Sequence, residues 1–392
     1  MLVLAPRLAA IGLVVAFQVS STQACDEKTP VTTPAPTPSP DPTPGIATEY
    51  FTAADGTRYG VQIVAKNLEL PWSLAWTPDG RLFFTERPGR VRVYQNGAVS
   101  PSPMLTLGDV FAQGEAGALG LTLHPDFATN RFVYLYYTAR RDDGTPVNRV
   151  VRFREVGNTL GEPLVVIDGI PAATIHDGGR VKFGPDRKLY ITAGDAADAQ
   201  RYPQDLAALA GKILRLNEDG SVPADNPFRS PVYSYGHRNP QGLDWHPTTG
   251  DLWETEHGNV GNDEVNMIQA GQNYGWPLIE GAATRAGMVS PLLTFTPSVA
   301  PSGASFYTGS QVPGFKNNFF FGCLGGAHIH RVQFDPTNLR RVISHEKLLE
   351  NKFSRIRDIV NGPDGALYFC TSNRAGTFTA DDDRIGRIVA AP

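Results

Sequence analysis

The chain has 392 residues, of which 41% are hydrophobic and 19% charged, with a formal net charge of −4. That balance supplies a large core and excludes the basic surface of a nucleic-acid-binding protein. The 40 glycines and 32 prolines exclude a helix bundle and favour many short strands joined by turns.

In chain order, the first element is an export signal. Arg7 precedes an apolar run, Leu8 to Phe17, and small or polar residues lead to Ala24. Residues 1–24 therefore read as a cleaved secretory signal peptide, too short to span a membrane. Cys25 follows directly and is a candidate lipid acceptor, so the mature protein is expected in the periplasm or outside the cell, either free or tethered to a membrane. Residues 25–48 are rich in proline and threonine, cannot build a core, and read as an extended spacer. The folded domain is expected to run from 49 to 392.

One pattern recurs along that domain: an apolar strand, a proline-containing turn, and a second apolar strand. Copies are LAWTPDGRLFFTE (74–86), LTLHPDFATNRFVYLYYT (121–138), VKFGPDRKLYITAGD (181–195), LDWHPTTGDLWETEHG (243–258) and IVNGPDGALYFCTSN (359–373), with a degenerate copy at 307–326. The turn prolines Pro78, Pro125, Pro185, Pro247, Pro313 and Pro363 lie 47 to 66 residues apart. Six hairpins at that spacing predict an all-β fold, a six-bladed β-propeller. A β-sandwich is the alternative, but it does not explain six copies of one motif. A short helix-like stretch is expected at Pro203–Ile213.

Four segments carry candidate chemistry. In HDGGR, His176 stands 19 residues before Asp195. A histidine oriented by a carboxylate can take a proton from a substrate hydroxyl. GHRNPQGL places Arg238, Asn239 and Gln241 together, a donor set suited to an anion. EHGNVGNDEVN interleaves Asn259, Asn262, Asp263, Glu264 and Asn266 with glycine, hard oxygen donors that suit Ca2+. In SRIRD, Arg355 and Arg357 alternate and share one face of a strand. His328 and His330 also alternate, but a metal there needs a third ligand that spacing does not identify, so they read as structural. Cys323 and Cys370 could form a disulfide in an oxidising compartment or remain two buried thiols.

Together HDGGR, Asp195, GHRNPQGL, EHG…NDEVN…GQNYGWP and RIRD resemble the soluble, pyrroloquinoline quinone (PQQ) dependent sugar dehydrogenases. The resemblance covers roughly residues 70–388. It implies a six-bladed propeller that oxidises an aldose at C1 to the lactone with PQQ bound on Ca2+. His176 is similar to the family's general base, Asp195 to its orienting partner, and Arg238 to the group polarising the quinone. Glu115, Asn239, Gln241, Arg355 and Arg357 correspond to cofactor-binding positions. The carbonyls of Gly258 and Asn259 correspond to calcium ligands at the cofactor, and Glu264 with the Tyr274 carbonyl to a second calcium site. Three positions depart from the family: Gly258-Asn259 replaces Gly-Pro, Glu115 replaces Gln, and Gly322-Cys323-Leu324-Gly325 replaces Gly-Ser-Leu-Lys, removing a cofactor-contacting lysine. The expected partner is a small sugar; with no haem motif in the sequence, electrons are expected to pass to a soluble or artificial acceptor whose identity is open. A non-catalytic propeller binding a carbohydrate or a protein is the alternative function.

Overall fold

The computed structural model describes residues 49–373 and 383–392. The expected signal peptide, Cys25 and the spacer lie outside the described residues. Those described form six antiparallel sheets of four or five strands. Their first strands, Pro71–Trp76, Ala118–Leu123, Val181–Phe183, Pro240–Trp245, Pro301–Phe306 and Ile356–Asn361, follow one another around a central axis. The architecture is a six-bladed β-propeller. Ring closure is non-local: Arg58–Leu68 pairs with Asp383–Ala390 inside the sixth blade, and Glu49–Thr52 adds to its edge. Pairing segments from the two ends of the domain in one sheet closes the ring of blades.

The second strands of five of the six blades explain the composition. Leu82–Glu86, Leu189–Ala193, Leu252–Glu256, Phe319–Cys323 and Leu367–Thr371 are buried at every position. Both faces of such a strand meet a neighbouring blade, so apolar residues fill consecutive positions rather than alternate ones, and the polar residues that remain, such as Glu86, Glu254 and Glu256, are buried too. Six hydrophobic clusters result, each shared between adjacent blades. Trp253 and Val265 of blade 4, for example, pack with Phe306, Phe319 and Phe321 of blade 5. The turn prolines sit where predicted, between first and second strands. Gly80 and Gly365 close two of these turns at φ +84° and +77°, which a side chain at those positions disfavours.

Two expectations need correction. Pro203–Ile213 is not helical; it is a series of turns leading into the strand Lys212–Leu216. The Lys212 ammonium donates to the carbonyls of Tyr202, Pro203 and Ala210 at 2.7, 3.0 and 2.8 Å, gathering that loop around one buried cation instead of an i→i+4 ladder. The degenerate repeat was also misplaced. Blade 5 begins at Pro301–Phe306, and residues 307–318 form its long turn. The cysteine question resolves to two buried free thiols. No helix among the described residues is long and apolar enough to cross a membrane.

Candidate active site

Each first strand runs from one end of the axis towards its proline turn. Residues just before these strands therefore collect at the opposite end. Glu115 precedes blade 2, His176 precedes blade 3, Arg238 and Asn239 precede blade 4, and Arg355 and Arg357 flank the start of blade 6. Asp195 reaches the same end because the second strand of blade 3 returns there.

His176 Nδ1 lies 2.8 Å from Asp195 Oδ1. Asp195 is only 1% exposed and His176 14%, so the pair presents the imidazole outward and keeps the carboxylate dry. Asp195 Oδ1 also accepts from Ala197 N at 2.9 Å, and Oδ2 accepts from Trp276 Nε1 at 2.9 Å. A carboxylate that accepts a hydrogen bond from Nδ1–H fixes the tautomer whose Nε2 is free as a base. His176 has φ +62°, a strained conformation held by its surroundings. Gly194 lets the loop approach: a Cβ there would lie 2.0 Å from His176 O.

Glu115 Oε2 accepts from His176 N at 3.0 Å and Asn239 Nδ2 at 3.2 Å, while Asn239 Oδ1 accepts from Gly178 N. Burial raises the Glu115 pKa, but His257, the His176 amide and Arg357 outweigh it and hold the carboxyl below its ordinary value. Arg238 packs over Trp276, 5.4 Å from the ring centroid, and donates to the His257 carbonyl at 3.2 Å.

Beneath this rim lies a buried polar layer. Arg357 donates to Gln241 Oε1 at 2.6 Å and Ser302 Oγ at 3.3 Å. Arg180 donates to the Gln241 carbonyl and pairs with Asp358 at 3.0 Å. Their guanidinium carbons stand 4.4 Å (Arg180) and 5.6 Å (Arg357) from the Trp72 ring centroid. Arg180 and Asp358 also line a cavity of about 450 Å³ that continues along the axis towards the proline turns. Among the described residues neither Arg355 nor Arg357 forms an ion pair. Burial pulls the Arg357 pKa down to about 9, helped by Arg355 beside it, and also lowers that of Arg355. The buried Nε atoms of Arg238 and Arg357 and the Nε2 of His257 have no hydrogen-bond partner. Buried cations without counter-ions are costly, and this cluster suits a ligand rich in carboxylates.

A second, smaller feature adjoins it. Glu256, Glu264 and Glu280 line a cavity of about 10 Å³ with Gly258, Tyr274 and Trp276. Glu280 Oε2, Asn266 Oδ1 and Glu254 Oε1 are buried without partners. Burial, then the neighbouring Glu256, push the Glu264 pKa up to about 8. A hard cation would relieve this crowding of oxygen donors. Asp263, one of the candidate donors, is otherwise engaged: it accepts from Gly258 N, Ser298 Oγ, Val299 N and Ala300 N and shapes the loop. Asn259 is exposed at its tip.

The structure thus brings together His176, Asp195, Arg238, Asn239 and Glu115, sets Gln241, Arg355 and Arg357 below them, and gathers Gly258, Glu264 and Tyr274 at the adjoining cavity. Sequence reasoning assigned no role to Trp276, Glu256, Glu280 and Trp72. Trp276 and Glu256 stand inside the motifs GQNYGWP and EHG, so their neighbourhood was visible although their contacts were not.

A profile of the family described as Glucose / Sorbosone dehydrogenase matches residues 68–380. The chain belongs to that family. The aldose sugar dehydrogenase of Escherichia coli is 33% identical over 341 residues, covering 81% of this chain and 91% of that protein. A putative oxidoreductase (glucose dehydrogenase) of Thermus thermophilus has a crystal structure 40% identical to this chain, with a TM-score of 0.76 over 84% of this chain and all of that one. The PQQ-bound form of the aldose sugar dehydrogenase of Streptomyces coelicolor is 34% identical, with a TM-score of 0.75 over 84% of this chain and 98% of that one.

Proposed function

We propose that this chain is an exported, PQQ- and calcium-dependent aldose dehydrogenase that oxidises a sugar at C1 to the lactone. The observation that carries the reading is the buried Arg357 with the half-buried Arg355 beside it, neither in an ion pair among the described residues, next to an outward-facing His176–Asp195 pair. Arg355 and Arg357 would hold the carboxylates of PQQ, with Arg238, Asn239 and Gln241 beside them. The backbone carbonyls of Gly258 and Asn259 would supply oxygen to a calcium ion at the cofactor, and Glu264 with Tyr274 a second one. When bound, PQQ supplies a quinone able to accept the hydride from C1.

The chain's own part is proton handling and positioning. His176 Nε2 takes the proton of the C1 hydroxyl while the hydride leaves C1, so two electrons and one proton leave carbon together and the second proton goes to the imidazole. Asp195 stabilises the imidazolium that results. Arg238 offers a cation where negative charge develops. Glu115 is held as a carboxylate by its two donors and by the field of Arg357, which offsets the charge it brings in place of a neutral glutamine. The lost family lysine at Gly325 lowers the positive charge by one, so cofactor binding is expected to lean on Arg355 and Arg357 more heavily.

The test is reconstitution of the purified chain with PQQ and Ca2+, followed by dye reduction with a panel of aldoses. Turnover that His176→Ala removes, with PQQ still bound, supports the reading. Absence of both cofactor binding and turnover rejects it in favour of a non-catalytic propeller.

A further inference from the structure

Blade 5 carries a cluster of ligating side chains that the dehydrogenase site does not use. Phe319–Cys323 pairs with His328–Asp335, and the register sets Cys323 opposite His328 and Phe321 opposite His330. Cross-strand partners and residues two apart share a face, so Cys323, His328 and His330 project together towards blade 4. All three are buried, at 0%, 0% and 3% exposure. The thiol and one ring nitrogen from each histidine lie within 4.8 Å of one another.

The surrounding hydrogen bonds fix which nitrogens face inward. His328 Nδ1 lies 2.7 Å from the Gly326 carbonyl, which can only accept. The Nδ1 proton is therefore placed there, and Nε2 carries the lone pair. That Nε2 is 3.0 Å from His330 Nδ1, and His330 Nε2 is in turn 3.0 Å from His345 Nδ1. His345 is exposed on the outer strand Asn338–Leu348, so the ladder runs from the buried thiol to solvent. Orientation of a ligating imidazole by a carbonyl or a second ring on its far nitrogen is the usual supporting arrangement of a metal site.

We propose that Cys323, His328 and His330 bind a thiophilic divalent transition-metal ion, zinc being the best match, in a site separate from the calcium positions. One thiolate and two neutral imidazoles suit zinc and not Ca2+ or Mg2+. At metal–ligand distances of about 2.0–2.3 Å the two nitrogens, 3.0 Å apart, already stand near the spacing of two ligands on one ion, and the thiol needs to draw in by about an ångström at most. Two neighbours bear on the charge: Lys347, opposite His330 on the same face, opposes a cation, and Asp263 acts on Cys323 from blade 4. Ligation requires a neutral imidazole with its lone pair on the inward nitrogen. The thiolate is the ligand, so the Cys323 thiol must give up its proton on binding. The His330 proton moves from Nδ1 to Nε2, where His345 accepts it while its own ring proton shifts outward. Each ion bound therefore releases one proton to solvent, the thiol's.

The test uses the purified, reduced full chain with excess Ca2+ to fill oxygen-donor sites. It is titrated with Co2+ as the spectroscopic probe and then with Zn2+. The expected result is one equivalent of Co2+ with a thiolate-to-metal charge-transfer absorption, displaced by one equivalent of Zn2+, with about one proton released per ion. The absorption should persist in Cys25→Ser and Cys370→Ser and vanish in Cys323→Ser. His330→Ala removes a ligand and should weaken binding by more than about 100-fold, beyond the roughly 10- to 100-fold expected of His345→Ala, which removes only the support of His330. Should Cys323→Ser fail to fold, sulfur in the metal's first coordination shell by X-ray absorption of the Cys25→Ser/Cys370→Ser chain supplies the same answer. Absence of a charge-transfer band in the wild-type chain, or an unchanged band in Cys323→Ser, would overturn the proposal and leave a metal-free imidazole ladder.

Discussion

The Asp195 carboxylate is the most revealing single position, because every side-chain and backbone group it meets is a donor. Oδ1 receives His176 Nδ1 and Ala197 N, and Oδ2 receives Trp276 Nε1. Asp195→Asn keeps the shape but has one acceptor oxygen. If that oxygen stays with His176 and Ala197, the new amide NH2 confronts the indole N–H inside a site that is 1% exposed. If the amide turns over, its NH2 faces His176 Nδ1 and forces the proton onto Nε2, abolishing the base. Losing a charge-assisted hydrogen bond and leaving a donor unsatisfied costs about 2–4 kcal/mol, a fall in kcat of about 30- to 1,000-fold. Pairing the change with Trp276→Phe removes the confronting donor, so the double variant should recover about tenfold over Asp195→Asn alone. The assay is steady-state dye reduction at saturating sugar on protein loaded with PQQ and Ca2+, with cofactor content checked by absorbance. A single variant within threefold of wild type, or a double variant no faster than the single, would refute the orientation argument.

Three further outcomes follow from the buried charges. Arg357→Met removes a cation with no ion-pair partner, so the cofactor-free protein should unfold at no lower temperature than wild type, while PQQ binds about 5- to 150-fold more weakly by titration, a loss of about 1–3 kcal/mol. Gly303→Ala would bring a Cβ within 1.9 Å of Asp358 Oδ1 and 2.6 Å of Arg180 Nη2; disrupting that buried ion pair should cost about 3–5 kcal/mol in denaturant unfolding. Asp177 is 1% exposed, and burial, opposed by Asn148 and the Ala173 amide, pushes its pKa up to about 7. Between pH 4 and 7 the native state keeps a proton that the unfolded chain gives up, so this group's contribution is full below pH 4 and falls as pH rises through 7. The decline is at most about 4 kcal/mol, and Asp177→Asn should flatten it in unfolding curves across that range.

The propeller was legible because its signal is local. A first strand, a Pro-Asp-Gly turn and a second strand occupy about 15 contiguous residues, and the turns at Pro78 and Pro363 read directly. Ring closure was not legible, since Arg58–Leu68 and Asp383–Ala390 lie at opposite ends of the domain and no local pattern announces their pairing. Blade 5 misled because its turn is long, which moved the apparent repeat past its true first strand. Pro203–Ile213 looked helical by composition, yet one buried ammonium organises its carbonyls instead. In the candidate site, His176 and Asp195 flank a single repeat and could be paired by eye. The Glu115–Asn239 contact spans 124 residues, and Trp276 meets Asp195 across 81; both needed the fold. Cys323 escaped notice beside His328 and His330 because its place opposite them depends on strand register, which sequence spacing does not report.

The most direct measurement of the central claim is an anaerobic single turnover. The chain loaded with PQQ and Ca2+ is mixed with an aldose in the absence of any dye, and the cofactor spectrum and the sugar product are followed together. The account predicts conversion of one equivalent of cofactor from its oxidised to its reduced spectrum with one equivalent of lactone formed, and a His176→Ala chain that keeps the cofactor but reacts far more slowly. A chain that binds PQQ yet leaves its spectrum unchanged with every aldose offered, or one that forms lactone equally fast without His176, would contradict it.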